Sequence, residues 1–231
     1  MSVWRRSGPA GFVQRLAHAR GLHAQFGQDR FLDRQVFRGL REGVFVEAGA
    51  YDGVTGSNTV FLERVRGWHG LLVEPSPQLA AQARRNRNAP VHEVALAADD
   101  GRAAFIEVSA GYRMMSGLAH DYPEARLREV RANHQHRERR IEVPTRTLAA
   151  LLDEAGIERL DLVSLDIEGG ELAVLRSFPF ARIRVEVWCI ENHPPSPLLA
   201  SLMSAHGYRH RATLGVDEIY VLDTAAVGHG C

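Results

Sequence analysis

Val44-Phe-Val-Glu-Ala-Gly-Ala-Tyr-Asp-Gly53 is the stretch that decides the fold. Val44–Glu47 is a short apolar run without alternation, as in a strand covered on both faces. Gly49 and Gly53 then mark a turn where the backbone approaches a neighbour closely or takes positive φ. The turn leads into the helix-like Ser57–Arg66. Working outward, four more apolar runs follow at Gly70–Glu74, Val91–Leu96, Leu160–Asp166 and Val185–Glu191, with helix-like Gln78–Asn86 and Leu172–Ser177 between them. Strands alternating with helices predict an α/β fold, a mostly parallel sheet with helices on both faces. Tyr208–Leu222 reads as two strands around Gly215, a closing antiparallel hairpin. Ahead of Val44, helical spacing starts at Gln28 (Phe31, Leu32, Val36, Phe37, Leu40) and stops at Gly43.

With 231 residues, 45% hydrophobic and 24% charged, the chain suits one domain with a substantial core. The reading divides it into an N-terminal arm (1–27), a domain (28–223) and a C-terminal tail (224–231). Within the domain, Arg102–Val108 is an extra strand, Ser109–Arg140 a polar excursion placed to act as a substrate lid, and IEVPT (141–145) extended again. A net charge of zero gives no general pull toward nucleic acid or anionic lipid. No run approaches 18 apolar residues, and Met1–Arg20 lacks an apolar signal core, so a soluble cytoplasmic chain without a membrane partner is expected. Cys189 and Cys231 are the only cysteines, which excludes a disulfide scaffold and an all-cysteine zinc site. The chain has no lysine, so Schiff-base chemistry, a lysine base and a Walker-type lysine are excluded. Arg126–Arg140 holds six arginines, His134, His136 and two acids. Lacking interleaved aromatics, it reads as a solvated helix face rather than a nucleic-acid site; if it binds anything, an anionic acceptor or a partner subunit fits better. Exposed apolar residues in the arm leave a homodimer open.

Three strands end in an acid, in FVEAG, LLVEP and VSLDIEG, and a fourth ends in CIENH. Ligands of open α/β sheets bind beyond the carboxyl ends of the strands, so Glu47, Glu74, Asp166 and Glu191 mark one rim. The first turn is not G-x-G-x-x-G and has no following Lys-Ser/Thr, which argues against a pyrophosphate cradle. Glu47 would repel a polyphosphate but suits a ligand with an ammonium group. Glu74 stands where an acid accepts both hydroxyls of a ribose. An adenosine-bearing ligand with cationic chemistry is S-adenosylmethionine. Two alternatives stay open at this point, an NAD-dependent Rossmann oxidoreductase and a catalytically inactive cofactor-binding homologue.

The motifs QFGQDRFL (25–32), FVEAGAYDGVTGSNT (45–59), GLLVEPSP (70–77), MSGL (115–118), VPTRTLAALL (143–152) and LVSLDIEGGELAVLRSF (162–178) occur in a specific order and spacing. Across roughly Gln25 to Leu222 the chain resembles the FkbM family of S-adenosylmethionine-dependent methyltransferases. The resemblance implies a class I methyltransferase (Rossmann-like) sheet of seven strands with the last antiparallel. It also implies O-methylation of hydroxyls on sugars, polyketides or other natural products. On this chain it implies that Glu47, Gly49, Tyr51 and Asp52 line the methionine end of the cofactor, with Ser57 and Asn58 donating to its carboxylate. Glu74 would hold the ribose, Ala95 and Leu96 would pack near the adenine, and Asp166 would sit beside the sulfonium and the acceptor. Gln25, Gln28 and Asp29 either close over the cofactor or tether the arm.

Methyl transfer from a sulfonium needs an aligned acceptor and a more nucleophilic hydroxyl. Without lysine, the base is His, Asp or Glu, or a metal lowers the hydroxyl pKa. Asp166, Glu191 and Asn192 form an all-oxygen set suited to Mg²⁺, similar in arrangement to metal-dependent catechol-type O-methyltransferases, but with Glu191 where an Asp is usual and no lysine after Asp166. His193 is the first candidate base and Glu168 the second; the alternative for His193 is a residue held by its backbone at a Pro-Pro turn. Glu171 reads as a helix-dipole residue. Tyr112, Met114, Met115 and Tyr122, in the excursion, are placed to contact an apolar or sugar acceptor.

Overall fold

The Val44–Glu47 run sits in the interior of the main sheet in a computed structural model that describes residues 21–223. In chain order the elements are α1 (Gln28–Phe31), β1 (Val44–Ala48), α2 (Val60–Arg66), β2 (His69–Val73), α3 (Pro77–Asn86), β3 (Val91–His92), β4 (Ala95–Leu96), β5 (Gly101–Ala110), β6 (Gly117–Leu118), α4 (Glu124–Arg131), β7 (Arg137–Arg146), α5 (Leu148–Ala155), β8 (Arg159–Leu165), α6 (Glu171–Ser177), β9 (Arg184–Glu191), α7 (Pro197–Ala205), β10 (Tyr208–Leu214) and β11 (Asp217–Leu222). Residues 1–20 of the expected arm, the expected tail (224–231) and Cys231 lie outside the described residues.

Seven strands form the main sheet in the order β10-β11-β9-β8-β1-β2-β3. All pairs are parallel except those of β11, which runs antiparallel to both β9 and β10. This is the class I methyltransferase sheet, its last strand antiparallel. Residues alternate between its faces, as pleating requires. Phe45, Leu72, Leu162 and Cys189 pack with Leu32, Leu62 and Trp68 on one face. On the other, Val46, Val73, Val163 and Ile190 pack with residues of α5, α6 and α7. Local signals set the helix ends. Ser76 caps α3 ahead of Pro77, Thr147 caps α5, and α5 stops at left-handed Gly156.

A second sheet, β4-β7-β5-β6, is built on the extra strand and the excursion. β5 and β7 pair antiparallel along their lengths. Three expectations are corrected here. Val91–Leu96 is not one strand: β3 joins the main sheet while β4 pairs with β7, so the chain changes sheets between them. Arg126–Arg140 is not one helical face: α4 ends at Arg131, and Arg137–Arg140 is already strand, with Arg139 opposite and ion-paired to Glu107. The helix beginning at Gln28 gives way to one π turn (Leu32–Val36) rather than running on to Gly43. Among the described residues no helix is long and apolar enough to cross a membrane.

Candidate active site

Strand register puts the predicted rim on one level. Ala48 pairs with both Val73 and Leu165, and Leu165 with Ile190. The next residues, Gly49, Glu74, Asp166 and Glu191, therefore leave the sheet together. Asp217 joins them opposite Glu191. It begins β11, and in an antiparallel strand the first residue is the one that reaches this edge. Gly49 is obligatory, since at φ 79° a Cβ would lie 1.8 Å from the Asp166 carbonyl oxygen. Over the rim lies a cavity of about 780 Å³. Its walls include Gly49, Tyr51, Asn58, Glu74, Ala95, Leu96, Asp166, Glu168, Glu191, His193, Tyr112, Met114 and Met115.

Glu74 is buried, and its two oxygens accept the Tyr51 and Ser76 backbone N–H groups, both at 2.9 Å. Each oxygen keeps a lone pair for a ligand. Burial, with Glu107 nearby, pushes this carboxyl up to about 8 against the opposing pull of those two donors. Tyr51 is held at φ 52°, a left-handed turn that its bond to Glu74 secures.

Three of the expected cofactor contacts lie elsewhere. Glu47 is turned into the protein, accepting from Ser57 Oγ (2.8 Å), Asn58 N (2.7 Å) and Thr59 Oγ1 (2.7 Å), and it pairs with the buried Arg87 (3.1 Å). Ser57 Oγ, besides donating to Glu47, accepts the Thr59 and Val60 N–H groups at the start of α2. Asp52 is spent on a local turn, accepting from Val54 N, Thr55 N and Thr55 Oγ1. Asn58 does face the cavity, with a role opposite to the expected one. Its amide nitrogen donates inward to Ser164 Oγ (3.0 Å), and its buried Oδ1 has no hydrogen-bond partner among the described residues.

Asp166, Glu168 and Glu191 each present an oxygen, all within 4.8 Å of one another. Glu168 is brought in by a left-handed turn (φ 61°), which the Glu171 carboxylate braces by accepting the Ile167 and Gly169 N–H groups. Asn192, expected in this cluster, instead caps the following turn. Its Oδ1 accepts Ser196 N (2.8 Å) and its Nδ2 donates to Glu218 (2.8 Å). None of the three carboxylates has an arginine ion pair among the described residues, and burial followed by like-charge neighbours raises the pKa of each. His193 lies in the wall just beyond β9, and burial, with the Arg126 guanidinium nearby, holds its imidazole below the usual 6.5. Tyr122 is not a wall residue; its hydroxyl donates to the Met115 carbonyl (2.9 Å) and so positions Met115.

The opening segment forms another wall. Gln25 and Gln28 line the cavity, while Asp29 tethers, its carboxylate accepting the His23 and Ala24 N–H groups. Gln28 Nε2 donates to Asp217 Oδ2 (2.6 Å), and the Phe26 ring lies where a Cβ on Gly215 would come within 2.2 Å.

The FkbM methyltransferase domain matches this chain over residues 47–210. The chain belongs to the FkbM methyltransferase family. Membership decides between the cofactor readings that the sequence leaves open, in favour of S-adenosylmethionine. A comparison with curated proteins gave no match. Two solved structures are similar to the chain at low identity. One, a TehB-like S-adenosylmethionine-dependent methyltransferase from Corynebacterium glutamicum, is 12% identical with a TM-score of 0.44, covering 94% of this chain and 100% of its own. The other, a methyltransferase from Geobacter sulfurreducens, is 12% identical with a TM-score of 0.47, covering 96% and 92%.

In this FkbM chain the residues present fit the cofactor that the family implies. Glu74 offers acceptors for ribose hydroxyls, Asn58 Oδ1, unpartnered among the described residues, offers one for an ammonium, and the rim carboxylates, without an arginine pair among those residues, suit positive charge. Sequence reasoning missed Asp217, Phe105, Arg113, Arg126 and Gln135 as wall residues. Asp217 could have been found by reading the last strand from its amino end. The other four lie on the second sheet or in the excursion, where no motif marks them.

Proposed function

We propose that the protein is an S-adenosylmethionine-dependent O-methyltransferase acting on a hydroxyl of a small metabolite such as a sugar, a polyketide or another natural product. The observation that carries this reading is Glu74, a buried acid at the tip of β2 that lines the cavity and whose two oxygens each accept one backbone N–H. When bound, S-adenosylmethionine supplies a methyl group on a positively charged sulfur that leaves as a neutral thioether. Glu74 would accept from the ribose, and Asn58 Oδ1 would accept from the ammonium. Asp166 and its neighbours counter the positive charge on that side of the cavity. His193, whose imidazole burial holds below its usual pKa, would accept the proton of the acceptor hydroxyl. Tyr112, Met114 and Met115 contribute an apolar wall for the acceptor.

Calorimetry tests the first step. Micromolar S-adenosylmethionine binding is expected, weakened by about 1 kcal/mol or more in Glu74→Ala. No binding by the parent protein would overturn the reading. With an acceptor in hand, His193→Ala should lower kcat by about a hundredfold; an unchanged kcat would remove His193 as base.

The carboxylate cluster favours one variant of this reading, in which Asp166, Glu168 and Glu191 hold Mg²⁺ and the ion lowers the pKa of the acceptor hydroxyl. Turnover abolished by chelation and restored by Mg²⁺ would select that variant, and turnover indifferent to chelation would eliminate it.

A further inference from the structure

The cavity is electrically lopsided. Its sheet side carries Glu74, Asp166, Glu168, Glu191 and Asp217 and no arginine, whereas the excursion contributes Arg113 and Arg126 together with one acid, Glu129, which pairs with Arg126 through Nη1. Arg126, on α4, is anchored on one side only: Nη1 donates to Glu129 (3.0 Å), Nη2 meets the Met115 thioether (3.4 Å), and the buried Nε has no partner among the described residues. A thioether is a weak acceptor, so the Nε–Nη2 edge is unclaimed. The same edge grips carboxylates at other places in this protein. Arg66 holds Asp33 through Nε (2.6 Å) and Nη2 (2.9 Å), and Arg131 holds Glu138 through the same pair (3.1 and 2.5 Å). The Arg113 guanidinium, in the same wall, makes no hydrogen bond or ion pair among the described residues.

We propose that Arg126, assisted by Arg113, forms an anion subsite, and that the methyl acceptor carries a carboxylate or phosphate besides the hydroxyl that is methylated. The proposal rests on the methyltransferase reading of the cavity and narrows its substrate class. A planar guanidinium fork matches either anion bidentately, and burial of Nε favours an anionic partner over water. The rim offers such a group only carboxyls and no cationic donor, so it lies toward the excursion and the hydroxyl toward His193. Asn133 and Gln135 of the wall add amides on the excursion side.

Titration of matched ligands into protein loaded with S-adenosylhomocysteine tests this. Glucose, glucuronate and glucose 6-phosphate form one set; phenol, 4-hydroxybenzoate and 4-hydroxyphenyl phosphate form another. The charged members of at least one set should bind the parent protein about tenfold more tightly than the neutral one, the value of a charge-assisted pair. Whether the carboxylate or the phosphate member leads identifies the anion. Arg126→Gln should abolish the preference, Arg126→Lys should keep part of it, and Arg113→Gln should reduce it less. Charged and neutral members binding alike or not at all, or a preference that survives Arg126→Gln and Arg113→Gln combined, would overturn the proposal. Binding of S-adenosylmethionine by the parent protein, measured in parallel, separates the two readings. Its absence defeats the methyltransferase assignment, and its presence without an anion preference defeats the subsite alone.

Discussion

Two groups of buried acids lie at the cofactor turn and are treated in opposite ways. Beneath it, Glu47 and Glu63 share Arg87, whose guanidinium is wholly enclosed and also reaches the Gly53 carbonyl, Ser57 and Thr59. At the rim, Glu74, Glu168 and Glu191 are buried and Asp166 half-buried, with no arginine pair among the described residues. A matched buried charge holds its surroundings together, and removing one partner is costly. An unmatched one raises the energy of the empty site and favours whatever cation arrives. The contrast separates acids that build the site from acids that operate it, although Glu47 closes an apolar run in the sequence just as Glu74, Asp166 and Glu191 do.

The largest expected effect comes from the unmatched group. Glu74 is raised from 4.5 to about 8, so between those values the folded state binds more protons than the unfolded one. Stability is therefore full below 4.5 and falls as pH rises through that window, by on the order of 5 kcal/mol for this group. Denaturant midpoints across a pH series should show the fall, and Glu74→Gln should make it shallower by the share of this group. Parallel profiles for the two proteins would erase the distinction drawn for Glu74. Cofactor binding should also release protons below about 8, which calorimetry in buffers of different ionisation enthalpy would reveal.

Arg87→Met attacks the matched group and leaves Glu47 and Glu63 uncompensated. A loss of about 3–5 kcal/mol of stability is expected in chemical denaturation. A loss no greater than that of an ordinary surface change would show that the pairing contributes little. The smallest test sets neighbours against each other. Ser57→Ala should cost about 1 kcal/mol of stability and leave cofactor affinity within about twofold. Asn58→Ala should instead weaken S-adenosylmethionine by about 1 kcal/mol. If both act on the same property, the boundary between the groups does not run between these two residues.

Much of the main sheet was legible because strand, Gly turn and helix recur at short range, each with its own local signal. Val44–Glu47, Gly70–Glu74, Leu160–Asp166 and Val185–Glu191 all became strands, and Gly215 turned the closing hairpin. The level of the rim followed from those strands. What escaped reading depends on partners far away in the chain. Glu47 looks like a ligand residue until Arg87, 40 positions on, claims it. Asn192 looks like a metal ligand until Ser196 and Glu218 occupy its amide. The charged strand Arg137–Arg140 has the composition of a helix face, and only its pairing with β5 reveals it. Glu168 enters the cluster through a left-handed turn that DIEGG permits but does not announce.

The clasp between the opening segment and the last hairpin bears on how the protein is made. Gln28 and Asp217 are 189 positions apart, and Phe26 is seated on Gly215. During synthesis Gln28 precedes Asp217 by those 189 positions, so their bond forms only after the hairpin has left the ribosome. Contacts of such separation form late, after the local strands and helices. The cavity wall is thus completed only when residue 217 is free. A nascent chain stalled earlier would lack this wall of the cavity and leave the acidic rim open on the side that Gln28 and Asp217 close.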